Sequence, residues 1–391
     1  MLLRRGPLTL LMDYGLLPSN PPQYPMESPP VDALLLSHAH LDHSGMAPWL
    51  TSRYDTEVFG TPPTLEVADL LLEDSLKIAD NEGYRIAYDE SDVAGARKAF
   101  RPLQFGDSLD FGGVEVIAHS AGHIPGATMY EVNVEKTVLF SGDLHTLTSD
   151  LVVGARSVKC DILVLESTYA GRQHPPREMV QKDFLRKIRE VNERGGLAII
   201  PAFAVGRTQD IILTLARGNF DAHLGGMGKT VTSMYLNHHR YVRSVRKLSD
   251  AMSRMKVVSG RRGFEAAVRG DAIVTTSGML DGGPVLRIIE RLREDQRSAI
   301  LLTGYQVDGT NGRRLLDEGV IDLYGVDVRP RCELQKFDFS SHAGHDDLVR
   351  FVKQCDPEKV VLMHGDNRQA LADALEGREC ILPQEGEWVT L

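Results

Sequence analysis

An apolar run, Val31–Ser37 (VDALLLS), leads directly into the six residues HAHLDH, and this junction decides the fold. An apolar run of this length between polar segments predicts a buried strand. The loop after it carries side chains of the kinds that bind zinc: His38, His40, Asp42 and His43. His38 and His40 alternate and can share one direction, while Asp42 and His43 turn to another, so one short loop could serve two metal ions. The alternative interpretation, structural or surface residues, is disfavoured by four such donors at this spacing.

The order of apolar strand, polar loop and helix recurs along the chain. Further apolar runs begin such a unit at Thr137–Phe140, Asp161–Leu165, Leu197–Ile200, Ala272–Val274, Ala299–Leu302 and Lys359–Met363. This alternation indicates an α/β fold, in which ligands gather at the carboxyl ends of the strands. Helical spacing predicts a helix over 177–194, Pro284 suits the first turn of another, and Ser44 can cap the helix after the histidine run.

Length and charge limit the classes of protein. The 391 residues suggest two domains, one interrupted by the other, and a composition of 42% apolar and 25% charged residues is ordinary for a globular protein. The net charge is -10, whereas binding nucleic acid by bulk attraction requires a basic protein. Local positive charge does occur, at Arg240, Arg243, Arg246, Lys247, Arg254, Lys256, Arg261, Arg262 and Arg269. This stretch is interpreted with equal weight as a nucleic-acid face or as a solvated helix surface.

The cysteines and the apolar segments bear on the compartment. The four cysteines, Cys160, Cys332, Cys355 and Cys380, form no CxxC pair, and we interpret them as reduced thiols of a cytosolic protein. The apolar run near the N-terminus is too short for a signal peptide, and no stretch is long enough to span a bilayer. We therefore expect a cytoplasmic protein without membrane contact.

Two metal sites would need further ligands, and three residues are candidates. His123 lies in AGHIPGA, where glycine and proline predict a tight, shaped loop. Asp143 follows a strand in the triplet SGD and could bridge two metals through both oxygens. His364 lies between VVLM and Gly-Asp. Each of them is weak evidence alone. The remaining histidines are interpreted as structural or surface residues: His119, His145, His223, His238, His239 and His345.

Further motifs occur in one order along the chain: ESTY at 166–169, PAFAVGRTQ at 201–209, TTSGML at 275–280, GYQVDGT at 304–310, FSSH at 339–342 and MHGD at 363–366. Together with HAHLDH they resemble the β-CASP nucleases of the metallo-β-lactamase superfamily. The closest likeness is to the archaeal short form, without KH domains, of the cleavage and polyadenylation specificity factor endonuclease. The resemblance covers nearly the whole chain, from Leu10 to the end.

The resemblance implies a metallo-β-lactamase αββα sandwich with an inserted α/β domain. The metallo-β-lactamase domain would comprise 1–171 and 338–391, and the β-CASP domain would comprise 172–337. Two zinc ions, with manganese as the alternative, would be bound by seven residues. The ligands of one ion would be His38, His40, His123 and Asp143, and those of the other would be Asp42, His43, His364 and the same Asp143.

The resemblance also implies the catalytic and substrate-binding roles. Glu166 and His342 would face each other near the metals, with His342 as general acid, and Asp42 would be both ligand and catalytic residue. A histidine at the position of His364 goes with RNA substrates in this family, whereas the DNA-processing branch carries valine. The expected partners are single-stranded RNA, a second copy of the chain in a homodimer, and RNA-processing or transcription machinery.

The loops of the inserted domain are candidate substrate contacts. Arg207 stands at a helix start with backbone N–H groups nearby, which is a natural phosphate cradle. Ser277 and Gly304 lie in loops of the same strand-loop-helix layout. His174 is a further candidate in RQHPPR. The alternatives are an ion-pair role for Arg207 and an inert loop histidine.

Two departures from the family pattern stand out. The family has a leading strand and a glycine-containing turn before the strand that ends at Asp13. Here that strand begins almost at Met1, so either the chain start is late or this edge strand is missing. Ala170 replaces the glycine of ESTYG. Ribonuclease J fits less well, because its usual C-terminal extension is absent.

Three other functions compete with an RNA-cleaving enzyme. A small-molecule hydrolase, such as a thioesterase or lactamase-like enzyme, shares HxHxDH but does not need the large insert. A non-catalytic RNA-binding subunit is disfavoured because all seven expected ligands are present. A DNA-repair nuclease is disfavoured by His364.

Overall fold

The computed structural model describes residues 1–17, 19 and 21–390. It forms two compact units, one comprising Met1–Gln173 with His342–Leu391 and the other comprising His174–Ser341. The second unit is thus an insertion in the first.

The elements are given in chain order. The first segment contains β1 (Leu2–Arg5), β2 (Leu8–Met12), β3 (Ala33–Leu35), α1 (Leu41–Ser44), α2 (Ala47–Thr51), β4 (Glu57–Gly60), α3 (Pro62–Glu82), α4 (Glu90–Ala99), β5 (Phe100–Pro102), β6 (Ser108–Asp110), β7 (Glu115–Ser120), β8 (Thr128–Asn133), β9 (Thr137–Phe140) and β10 (Ile162–Glu166). The inserted unit contains α5 (Arg177–Glu193), β11 (Ala198–Pro201), α6 (Arg207–Leu215), β12 (Ala222–Leu224), α7 (Gly228–Asn237), α8 (Val245–Ser253), β13 (Lys256–Val257), α9 (Gly260–Ala267), β14 (Ala272–Thr275), α10 (Pro284–Leu292), β15 (Ala299–Leu302), α11 (Asn311–Glu318), β16 (Ile321–Leu323), β17 (Val326–Val328) and β18 (Glu333–Lys336). The returning segment contains α12 (His345–Cys355), β19 (Lys359–Met363), α13 (Arg368–Ala374) and β20 (Glu379–Ile381).

Two sheets form the centre of the first unit. One has the order β1-β2-β3-β4-β5 and the other the order β20-β19-β10-β9-β8-β7-β6. Alternate residues of β2, such as Leu10 and Met12, share one buried cluster with Tyr130 and Val164 of the second sheet. Leu11 and its neighbours face the opposite way, into a cluster with the helices on the outer side. Because side chains alternate across a strand, each sheet face packs on a different layer, which gives the expected αββα sandwich.

A leading strand, β1, precedes β2, so the expectation that the strand ending at Asp13 begins almost at Met1 was wrong. β1 pairs antiparallel with β2, with Leu2 opposite Leu11. Gly6 turns the chain with a φ of 57°, a left-handed conformation that glycine adopts without strain. The strand was hard to see because two leucines followed by two arginines show no alternation of apolar and polar residues.

The helix after the histidine run also starts differently from the prediction. Ser44 was expected to cap it. Instead Ser44 is the last residue of α1, and its hydroxyl donates to the carbonyl of Ala39 at 2.9 Å. The helices predicted over 177–194 and at Pro284 are confirmed as α5 and α10.

The second unit has one parallel sheet with the order β13-β12-β14-β11-β15-β18. The carboxyl ends of parallel strands meet at one edge, so the loops after β11, β12, β13, β14 and β15 lie side by side along it. A small hairpin of β16 and β17 stands apart from this sheet. Over the residues described, no helix is both long and apolar enough to cross a membrane.

Gly15 permits the close approach that positions the histidine run. A Cβ atom placed on Gly15 would lie 1.8 Å from the carbonyl oxygen of Asp42, which is a clash with backbone. We expect Gly15→Ala to lower the free energy of unfolding of the first unit by about 3 kcal/mol, because backbone cannot move aside as a flexible side chain can.

Urea unfolding followed by tryptophan fluorescence measures this change, since both tryptophans, Trp49 and Trp388, lie in the first unit. Gly95→Ala is the control. Gly95 is within α4, and no atom lies within 4 Å of a Cβ placed there, so alanine should stabilise that helix by up to about 1 kcal/mol. Equal unfolding midpoints for the two variants would contradict the role given to Gly15.

Candidate metal centre

The predicted ligands come from loops at the ends of neighbouring strands. His38 and His40 follow β3, and Asp42 and His43 belong to the short helix α1. Asp143 and His364 follow the parallel strands β9 and β19, with β10 between these two strands. Parallel alignment brings these carboxyl ends to the same edge. His123, in the loop between β7 and β8, completes the set.

Four donors form a first group, with their ligand atoms within 4.8 Å of one another: His38, His40, His123 and Asp143. The Nε2 atom of His38 lies 2.9 Å from Nδ1 of His40 and 3.5 Å from Oδ2 of Asp143. The Nε2 atom of His123 lies 3.7 Å from the same Oδ2. His38 is fully buried, so these nitrogens converge on a point shielded from solvent.

A second group consists of Asp42, His43 and His364. Oδ2 of Asp42 lies 3.6 Å from Nε2 of His43 and 3.7 Å from Nε2 of His364. The other carboxylate oxygen of Asp143, Oδ1, lies 3.4 Å from Nε2 of His43. Asp143 therefore presents one oxygen to each group, which is the geometry of a bridging ligand.

The spacing and the hydrogen bonding of these donors fit two dications. Ligands held tetrahedrally at 2.0–2.1 Å from zinc lie about 3.4 Å apart, close to the 3.4–3.7 Å separations of the carboxylate–imidazole pairs. Nε2 of His43 and Oδ1 of Asp143 are buried and have no hydrogen-bond partner among the described residues. Buried polar atoms are rarely left in that state unless an ion or water satisfies them.

The electrostatics differ between the two groups. Burial, followed by the neighbouring histidines, lowers the pKa of His38 well below its usual value, so its imidazole is neutral, which is the form that can bind a metal ion. Burial also lowers the pKa of His43, but the surrounding carboxylates, first of all Asp143, raise it to about 10. A dication that binds the second group must displace that proton, so metal affinity should increase with pH.

Asp13 orients His43, a role that no local sequence pattern indicates. Its Oδ2 atom lies 2.7 Å from Nδ1 of His43, and its carboxylate also accepts hydrogen bonds at 2.6 Å from the backbone N–H and the hydroxyl of Ser37. Asp13 has a φ of 55°, which is uncommon outside glycine and occurs at functional sites. Its place at the end of a strand was the available signal, but nothing in the sequence linked it to a residue 30 positions away.

We expect Asp13→Asn to lower metal affinity by about 10- to 100-fold, because the carboxylate that fixes the ring of His43 is lost. The measurement is zinc titration with a fluorescent competitor. Asp32→Asn is the matched control, because Asp32 accepts a hydrogen bond from the backbone N–H of Thr9 in the same sheet but belongs to neither group of candidate metal ligands. Wild-type affinity in the Asp13 variant would exclude the orienting role.

Glu166 and His342 face each other beside the first donor group. Nδ1 of His342 lies 3.0 and 3.2 Å from the two carboxylate oxygens of Glu166, and Nε2 lies 3.9 Å from Oδ2 of Asp143. Burial lowers the pKa of His342, but Glu166 and then Asp143 raise it, and the net shift is upward. Burial raises the pKa of Glu166, but His342 lowers it and the net shift is downward. The pair therefore holds a proton on His342.

Backbone contacts fix this pair. The N–H of Leu144 donates to Glu166 at 2.7 Å, and the hydroxyl of Thr168 also donates to Glu166. Nδ1 of His145 lies 3.0 Å from the carbonyl oxygen of His342. His145, interpreted from the sequence as structural or surface, thus supports the loop that carries His342.

The predicted substrate contacts all belong to the second unit. Arg207 is the first residue of α6 and is buried, while Ser277 and Gly304 follow β14 and β15 at the same edge of the sheet. Phe203 joins these loops, because it packs closely against Gly304 and Gly278.

His174 occupies a different position. Its Nδ1 atom lies 2.8 Å from Oδ2 of Asp338. Burial raises the pKa of Asp338, but His174 and then Arg207 lower it, and the net shift is downward. The structure thus groups three loop residues along one edge and pairs the histidine with an acid. Substrate contact stays a prediction for each of them. The four cysteines are free, as expected for reduced thiols.

Comparison with known proteins agrees with the geometry. Residues 26–188 match the metallo-beta-lactamase superfamily, 218–315 match the Beta-Casp domain, and 327–383 match the Zn-dependent metallo-hydrolase RNA specificity domain. The chain belongs to the β-CASP family of metallo-β-lactamase-fold proteins.

Three curated relatives illustrate the likeness. The probable RNase MJ4 of Methanocaldococcus jannaschii is 36% identical over 98% of this chain and 94% of its own length. RNase aCSPSF2 of Saccharolobus solfataricus is 34% identical over 98% of this chain and 80% of its own length. The transcription termination factor FttA of M. jannaschii is 30% identical over 90% and 60%.

A solved structure shares the fold. A protein of unknown function from Enterococcus faecalis V583 superposes with a TM-score of 0.64 at 14% identity, covering 100% of this chain and 96% of that one. At that identity the likeness concerns architecture alone.

Proposed function

We propose that this protein is a ribonuclease that binds two zinc ions, or manganese in their place, and hydrolyses phosphodiester bonds of single-stranded RNA. The observation that carries the proposal is the pair of donor groups that share Asp143, with the Glu166–His342 pair beside them. When bound, the ions would polarise the phosphodiester and activate water.

The residues of the chain would supply orientation and a proton. Water attacks phosphorus, the bond between phosphorus and O3′ breaks, and the leaving O3′ takes a proton. His342 donates that proton from Nε2, and Glu166 keeps the ring aligned through Nδ1 and favours its charged form. Asp42 would hold the second ion together with His43 and His364. The products carry a 5′-phosphate and a 3′-hydroxyl.

The names of the relatives support RNA as substrate, since two are ribonucleases and one is a transcription termination factor. On the same ground we propose a role in RNA processing, 3′-end formation or decay, together with RNA-processing or transcription machinery. We propose a cytoplasmic location because the cysteines are free thiols. We further propose that the protein acts as a homodimer. Internal cleavage and 5′-to-3′ exonucleolytic cleavage both fit the chemistry.

The test is cleavage of a 5′-labelled single-stranded RNA by the purified protein, with and without chelator, beside the same sequence as DNA. Metal content is measured on the same sample. Chelator-sensitive products with 3′-hydroxyl ends are expected, and internal fragments or mononucleotides reveal the mode of cleavage. Two bound ions with hydrolysis of a thioester or β-lactam but no RNA cleavage would overturn the proposal in favour of a small-molecule hydrolase. RNA binding without bound metal or cleavage would overturn it in favour of a non-catalytic subunit.

A further inference from the structure

Positive charge is concentrated in one part of the second unit. Residues 227–270 contain ten lysines and arginines against two carboxylates, Asp250 and Glu265, although the whole chain has a net charge of -10. All ten cations are exposed: Lys229, Arg240, Arg243, Arg246, Lys247, Arg254, Lys256, Arg261, Arg262 and Arg269. Crowded like charges repel one another, so this arrangement reduces stability unless an anion binds there.

Seven of these ten cations have no ion pair among the described residues, unlike arginines elsewhere in the chain, and three of the seven lie at one edge of the sheet. Arg97 and Arg101 bind carboxylates at 2.6 to 2.8 Å in the first unit. Lys229, Arg261 and Arg262 have no carboxylate within 4.0 Å among the described residues. We call these three residues the cationic strip.

The topology places the strip at the carboxyl edge of the parallel sheet. Lys229 is in the first turn of α7, which follows β12, while Arg261 and Arg262 are in the first turn of α9, which follows β13. The order β13-β12-β14-β11 puts the strip on the same edge as Ser277 and Arg207. With neighbouring strands about 4.8 Å apart, this part of the edge spans roughly 14 Å.

Glycines hold the Lys229 loop against the predicted substrate loops. A Cβ atom on Gly228 would lie 2.5 Å from the side chain of Thr208, and one on Gly226 would lie 2.2 Å from that of Thr276. Thr208 follows Arg207, and Thr276 precedes Ser277. The loop that carries Lys229 therefore packs against the loops of Arg207 and Ser277, which are two of the predicted substrate contacts.

The shape of the surface indicates the kind of anion. Arg261 and Arg262 line an open groove with Glu265, Ala266 and Arg269, so three guanidinium groups stand there against one carboxylate. An open row of separated single charges matches a polymer with one negative charge per unit, whereas a small anion would need a closed pocket with converging donors. Single-stranded RNA is such a polymer.

We infer that the cationic strip binds backbone phosphates of single-stranded RNA, in addition to the phosphate at the metal centre. This inference rests on the proposed ribonuclease function. It predicts a dependence on RNA length, because a tetranucleotide with 5′- and 3′-hydroxyl ends has only three phosphates, too few for three strip residues and the metal centre together. A 20-nucleotide RNA has enough phosphates for both.

The test compares the full-length His342→Ala protein with the same protein carrying Arg261→Gln and Arg262→Gln. Binding of the 20-mer and the tetramer is measured by fluorescence anisotropy over a range of salt concentrations. Each phosphate contact with a single strand contributes about 0.7 to the slope of log affinity against log salt, so two lost contacts should reduce the slope by about 1.4. If variant and parent bind equally at a 1 M reference, that slope change makes the variant bind the 20-mer about 25-fold more weakly than the parent at 0.1 M salt. The tetramer should lose less than about twofold.

Lys182→Gln with Arg186→Gln is the control, because it removes the same number of charges and both residues are exposed cations on α5, far along the chain from the strip. A 20-mer affinity and salt slope unchanged in the variant with Arg261→Gln and Arg262→Gln would overturn the inference. Equal losses in the control would also overturn it, because they would show attraction by overall charge alone. Failure of the parent to bind the 20-mer would overturn RNA as the partner and favour an acidic protein. Hydrolysis of bis(p-nitrophenyl) phosphate by the wild-type protein tests the metal centre separately, so failure of the strip and failure of the proposed function are distinguishable.

Discussion

Asp143→Ala is expected to remove at least one metal ion and to lower RNA cleavage by at least about 1000-fold. The carboxylate presents Oδ2 to the first donor group and Oδ1 to the second, so both groups lose a ligand at once. The loss of metal affinity should exceed the 10- to 100-fold typical of losing a supporting hydrogen bond. Loss of charge stabilisation worth several kcal/mol accounts for the fall in rate. Elemental analysis after dialysis, combined with RNA cleavage, measures both effects.

Glu131→Ala is the matched control for this substitution. Glu131 pairs with His119 at 2.7 Å in the same unit, but neither residue belongs to a donor group. The control should keep its metal and its activity. An Asp143→Ala protein with two ions bound and full activity would refute the bridging role.

His342→Ala is expected to keep both ions and to lower the turnover number by about 100- to 10,000-fold, the usual contribution of a general acid. Its Nδ1 atom is held by Glu166, and it is not needed to complete either donor group. Single-turnover cleavage of labelled RNA with metal analysis of the same sample measures both quantities. Loss of metal in this variant would show that His342 is a ligand. His119→Ala serves as control for removal of a paired histidine.

The pH dependence separates the acid from its partner. Because the pKa of His342 is raised, its protonated form persists to higher pH, and turnover should fall as pH rises through that pKa. Glu166→Gln removes the strongest influence that raises this pKa. The alkaline decline of the rate should therefore move to lower pH, while an unchanged profile would mean that another group titrates.

Much of the fold could be predicted from the sequence because the signals were local. The runs Thr137–Phe140, Ala299–Leu302 and Lys359–Met363 are strands with the predicted limits. A short strand such as β1 gave no usable signal, because its four residues show no periodicity. β12 and the loop that carries Lys229 were also missed, since a three-residue strand is too short to distinguish from a turn.

The local sequence was enough to identify most of the candidate metal ligands. Four donors within HAHLDH must lie close together, because a loop of six residues cannot separate them. The positions of Asp143 and His364 at strand ends follow from apolar runs that stop at polar residues.

The contacts between residues far apart in the chain depend on the tertiary structure. The pairing of Glu166 with His342, which only the family resemblance implied, joins residues 176 positions apart. The contact of Asp13 with His43 joins segments that follow two neighbouring strands, β2 and β3. Which oxygen of Asp143 faces which group likewise depends on side-chain geometry. The physical reason is that strand order and register set these distances, and both arise from packing of the whole unit rather than from local chain preferences.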